Sequence, residues 1–182
     1  MNNLVFAWFA RLKKDLAFWV CFWGMAALGV YIPIGQYFDS IRYNTVFAPD
    51  DTIFNYVPFI CVVAAVFISL YLGVDYSDGT IRNKMMVGRT RNEIYLANWM
   101  VCVTGTLLLC LAFAVPCTAL AALLLGSAKA PAIAFVSTAL LSILVAVAAT
   151  SVYVMVSMLC QNKATTATVC LIIPIVLFVA AT

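Results

Sequence analysis

At 182 residues, 66% of them hydrophobic and only 9% charged, the chain has far more apolar surface than a soluble domain of this size can bury. A net charge of +3, with no basic run interleaved with aromatics, is too small to suggest a nucleic-acid binder. Seven cysteines, an odd number with no CxxC pair, argue against a disulfide framework or a zinc site and read as small apolar residues.

In chain order, Leu4, Trp8 and Leu12 recur at four-residue spacing, with Val5 and Phe9 beside them and Arg11 and Lys14 placed to reach headgroups. This pattern predicts a short amphipathic helix over residues 1–15, lying in the cytoplasmic interface among membrane lipids. A spanning helix needs roughly 20 apolar residues, because the hydrocarbon core is about 30 Å thick and each residue rises about 1.5 Å. The first such run is Leu16–Phe38; Gly24, Gly29, Pro33 and Gly35 predict a bend or close helix packing in it. It is too long, and its end too aromatic, for a cleaved signal peptide.

The outer loop from Asp39 to Thr52 is too short for a folded domain. A second span follows at Ile53–Val74, with Pro58 in its first turns, where a missing N–H costs least. The third is Leu96–Leu125, where Pro116 removes an interior hydrogen bond and is expected to kink the helix. Gly126 to Pro131 form a tight turn. The fourth span is Ala132–Met158, with Thr138, Ser142, Ala146 and Thr150 at four-residue intervals. Such a stripe suits close packing of two membrane helices, its commoner use, or the wall of a substrate path. A fifth apolar run starts near Ala164 and reaches Thr182. The fold class is therefore all-α: a polytopic helical membrane protein, a single transmembrane domain over residues 1–182 with an interfacial helix before it.

Charge placement sets the orientation. Arg11, Lys13, Lys14, Arg82, Lys84, Arg89, Arg91 and Lys163 all fall on one side of the spans. The other side has only Arg42 and Lys129, alongside Asp39, Asp50 and Asp51. Basic residues accumulate on cytoplasmic loops, so the N-terminus and the loop from Asp75 to Tyr95 are expected inside.

That loop is the most polar part of the chain. Ser77 to Gly79 read as a turn and Thr80 to Val87 as a short helix, with Ile81, Met85 and Met86 making an apolar face beside Arg82 and Lys84. Gly88 fits the helix C-cap, and Thr90 or Asn92 starts the next helix with Glu93 in its first turn. A short charged helix with two adaptable methionines suits docking of another protein; the plainer reading is a topology signal.

The string Asp78-Gly79-Thr80-Ile81-Arg82-Asn83-Lys84, followed by Gly88, Arg91, Glu93, Ile94 and Tyr95, resembles the loop after the second span of ABC-2-type permeases, frequent in small bacterial members. These are the membrane subunits of ABC transporters, mostly exporters. The resemblance covers the N-terminal helix, the first four spans and the loop. It implies a coupling helix that enters a cleft on a separate ATPase, with Gly79, Thr80, Ile81, Arg82, Asn83 and Lys84 docking and Met85, Gly88, Arg89 and Arg91 supporting them. It further implies two ATPase copies carrying ATP and Mg, a second permease chain, and a location in a bacterial cell membrane. Family members have six spans, so the resemblance implies a last helix beyond Thr182 or a shortened variant.

The chain itself has no G-x-x-x-x-G-K-[ST] string, so no ATP or other cofactor is expected on it. An enzyme is disfavoured: there is no histidine, no G-x-S-x-G elbow and no carboxylate within a span. A secondary carrier would need ionisable groups at membrane depth, or broken helices, for which Pro33 and Pro116 leave a small opening. A membrane scaffold that binds a soluble partner without ATP coupling stays open. The uncharged spans favour a lipid, a peptide or another amphipathic compound as cargo.

Overall fold

In hydrocarbon a backbone must satisfy its own hydrogen bonds, so each apolar run becomes a helix. The structure, a computed structural model, describes residues 8–43, 57–77, 91–124, 132–160 and 163–181. A short helix α1 (residues 8–12) precedes α2 (Leu16–Tyr43), α3 (Val57–Ser77), α4 (Arg91–Leu124), α5 (Ala132–Leu159) and α6 (Lys163–Ala181). Four of these helices, α2 to α5, are long and apolar enough to cross a membrane, and α6 adds the shorter apolar stretch Thr165–Val176. The protein is an all-α, multi-pass membrane protein.

The helices outrun the apolar segments at their polar ends. α2 continues past Phe38 to Tyr43, carrying exposed Asp39 and Arg42, and α4 opens at Arg91, before Leu96. Hydropathy marks where lipid stops, whereas a helix stops only where a cap or breaker ends it. The expected loop from Asp39 to Thr52 therefore begins as helix. The residues beyond Tyr43 on that side, and the turn from Gly126 to Pro131, lie outside the described residues.

α3 is the central element. Half of its spanning window is enclosed by protein, against about a third or less for the other three, and it touches α2, α4, α5 and α6. α2 packs chiefly on α4, and α4 in turn on α5. The core comprises Phe67, Ile68, Tyr71 and Leu72 of α3, Leu109 and Phe113 of α4, Tyr153 and Val154 of α5, and Met25 of α2. Trp23, Tyr31, Leu111, Leu123, Leu144 and Ile172 face outward, as lipid-facing side chains should.

Among the glycines of α2, the expected close packing holds at one position. A Cβ on Gly29 would lie 2.6 Å from the Phe113 carbonyl oxygen and 3.0 Å from Cγ of Pro116, so the α2 and α4 backbones meet there. Gly24 and Gly35 instead face open space, with nothing within 4 Å of a Cβ. Pro33 is buried. Pro116 lies inside α4, which continues as helix to Leu124.

Candidate functional site

The docking residues read from the sequence, Gly79 to Met85 with Gly88 and Arg89, lie outside the described residues. Arg91 is the first residue of α4. What the structure describes is the frame from which that loop hangs, namely the last turns of α3 down to Ser77 and the first of α4.

α1 is fastened to this end of the bundle. Trp8 and Leu12 are each only 3% exposed. The Tyr71 hydroxyl donates to the Trp8 carbonyl at 3.2 Å, and the Arg11 guanidinium lies 5.2 Å from the Tyr71 ring centre and 5.9 Å from that of Trp8. The rings run on inward, Trp8 to Tyr71 at 6.2 Å, Tyr71 to Phe67 at 5.7 Å, and Phe67 to Phe18 at 5.7 Å. Tilted, stacked and edge-to-face pairs at these spacings are favourable beyond the area they bury. The chain then turns through Lys13–Asp15. Trp19 Nε1 donates to the Lys13 carbonyl at 2.9 Å, and Asp15 caps α2 by accepting from the Ala17 N–H at 3.2 Å.

Of the segment expected as an amphipathic helix, residues 1–7 lie outside the described residues, and residues 8–12 are helical with Trp8 and Leu12 packed on protein. Tyr71 and Phe67 offer aromatic surface there, and Gly105 leaves room: a Cβ at Gly105 would meet the Phe67 ring at 2.9 Å and the Leu12 side chain at 3.8 Å. Lys13 and Lys14 remain exposed. Nothing in the sequence marked Tyr71, Phe67 and Gly105 as the seat of α1, because each looks like any other span residue.

The small-residue stripe of α5 divides. Thr138 is exposed, whereas Ser142, Ala146 and Thr150 are buried. The Thr150 and Thr106 hydroxyls sit 3.1 Å apart across α5 and α4, and Trp99 Nε1 donates to the Ser151 hydroxyl at 2.8 Å one residue further on. Of the stripe, Thr150 therefore meets α4, with Ser142 and Ala146 enclosed beside it on α5.

A second feature went unread in the sequence. α3, α5 and α6 enclose a lateral cleft of about 860 Å³, lined by side chains that include Pro58, Val62, Val145, Val152, Tyr153 and Pro174. Pockets of roughly 300–1,000 Å³ suit small ligands, and no lining residue carries a charge, so this one suits an apolar group. Its signal is spread over three helices far apart in sequence, where single-residue reading finds nothing.

Comparison with known protein families, curated proteins and solved structures finds no match to this chain in any of the three.

Proposed function

We propose that this chain is the membrane-spanning permease subunit of an ATP-driven transporter of the ABC-2 class in a bacterial cell membrane, with its N-terminus in the cytoplasm. The observation that carries the reading is the string Asp78-Gly79-Thr80-Ile81-Arg82-Asn83-Lys84 in the loop that joins α3 to α4, in a chain whose spans are otherwise free of charge. A separate ATPase, in two copies, supplies ATP and Mg and docks on Gly79–Lys84, with Met85, Gly88, Arg89 and Arg91 supporting the surface. Closure of the ATPases on ATP pulls the loop, and rigid helices turn that pull into a rearrangement of the bundle. α3 fits this task, since it reaches from the loop into contact with every other spanning helix. A second permease chain completes the path, and cargo moves outward along the interface between the two. The apolar cleft and the uncharged spans favour a lipid, peptide or other amphipathic cargo.

The test is purification of the full-length protein from its native membranes in mild detergent, followed by an ATPase assay. Co-purifying ATP hydrolysis that Arg82→Glu abolishes, with membrane insertion unchanged, supports the docking loop. Unaltered ATPase association and export in Arg82→Glu and in an Ile81/Met85 double variant would remove it and leave a carrier or a scaffold.

A further inference from the structure

Near the loop end of α4 and α5, two buried polar side chains have no oxygen or nitrogen partner among the described residues. Asn98 is wholly buried (0% exposed), and among the described residues neither its amide nitrogen nor its carbonyl oxygen has a hydrogen-bond partner. The Ser157 hydroxyl, on a residue 1% exposed, also lacks an oxygen or nitrogen partner and has the thiol of Cys170, a weak partner, beside it.

The two groups come to one level. α4 and α5 run antiparallel, and the Thr106–Thr150 contact fixes their register. From Thr106 back to Asn98 is about 12 Å along α4, and from Thr150 on to Ser157 about 10 Å along α5, at about 1.5 Å per residue. Both steps lead toward the end of the bundle that carries α1. Seven residues is close to two full turns, so Ser157 shares the Thr150 face that meets α4. By the same count Asn98 shares the Gly105 face, which receives Phe67 of α3. Asn98 therefore lies on the side of α4 that turns toward α3, at the level of Ser157 on α5.

We propose that Asn98 and Ser157 hold one internal water molecule, bridging the Asn98 amide to the Ser157 hydroxyl. A primary amide left dry is costly in an apolar interior, and buried waters satisfy such groups, making about three hydrogen bonds each. The amide offers both a donor and an acceptor and the hydroxyl either role, which is the complement of water. The guest is neutral, because the apolar runs contain no Asp, Glu, Lys, Arg or His to balance a charge, and small, because both side chains are enclosed. The seam then has direct contacts at Thr106–Thr150 and Trp99–Ser151 and a wet contact nearer the loop end of α4.

The experiment is solid-state NMR of the full-length protein in lipid bilayers, with ¹⁵N-asparagine, reading magnetisation transfer from water to the Asn98 side-chain NH₂ at short mixing times. Asn98→Leu identifies the signal by removing it. The expected result is a water contact that Ser157→Ala weakens severalfold and Ser151→Ala, on the same seam, leaves unchanged. Absence of the contact in the wild-type protein would overturn the proposal, as would a contact insensitive to Ser157→Ala. A contact appearing only when an amphipathic compound is added would assign the amide to cargo instead and equally overturn it.

Discussion

Gly24, Gly29 and Gly35 sit on one helix, and the structure separates them sharply. A methyl group added at Gly29 would stand 2.6 Å from the Phe113 carbonyl oxygen, 3.3 Å from its carbon and 3.0 Å from the Pro116 ring. A carbon meets a carbonyl oxygen comfortably near 3.3 Å, so α2 and α4 must separate by roughly 0.7 Å. The obstacle is backbone, which cannot swing aside as a side-chain tip can. Overpacking of this kind costs about 1–3 kcal/mol, against a helix-propensity gain from glycine to alanine of about 1 kcal/mol. Gly29→Ala should therefore lose up to about 2 kcal/mol net. Gly24→Ala and Gly35→Ala meet nothing within 4 Å and should be neutral or gain up to about 1 kcal/mol. Melting of the full-length protein in detergent, followed with a thiol-reactive fluorophore, reads the difference, because Cys102, Cys110, Cys117 and Cys170 are buried until the bundle opens. At about 2–4 °C per kcal/mol for a chain of this length, Gly29→Ala should melt several degrees below the other two. Equal midpoints for the three variants would refute the α2–α4 contact.

Gly105→Ala should also destabilise, since its methyl would press on the Phe67 ring at 2.9 Å, but here the obstacle is a side chain. Adding Phe67→Leu should recover part of the loss, whereas no such partner exists for Gly29→Ala; the same melting assay checks both. At the α4–α5 seam, Trp99→Phe and Ser151→Ala should each cost little, with a coupling of about 0.6 kcal/mol, as is typical of hydrogen bonds between membrane helices. A double-mutant cycle returning no coupling would show that the 2.8 Å contact contributes nothing to the fold.

Hydropathy read the depth of this chain well and its faces poorly, and one physical cause accounts for both. In water, an apolar face must turn inward, so periodicity reports which residues are buried. In hydrocarbon, the lipid side and the protein side are equally apolar, and that signal vanishes. Leu16, Ala132 and the neighbourhood of Lys163 were therefore readable as helix starts, while Gly29 could not be told from Gly24 or Gly35. The stripe on α5 shows the same limit from the polar side. Thr138 and Thr150 match in size and spacing, yet one faces outward and the other meets Thr106, a pairing set by the register of a different helix. The segment that holds α1 was legible as amphipathic because Arg11 and, just beyond the helix, Lys14 stand in contrast to Trp8 and Leu12. What covers that face was not legible, since an interfacial helix and a helix docked on Tyr71 need the same pattern. Asn98 is the exception that sequence reading should have caught. An amide just inside the apolar run and about two turns into α4 is costly once enclosed, so it marks a place where the bundle must supply a partner.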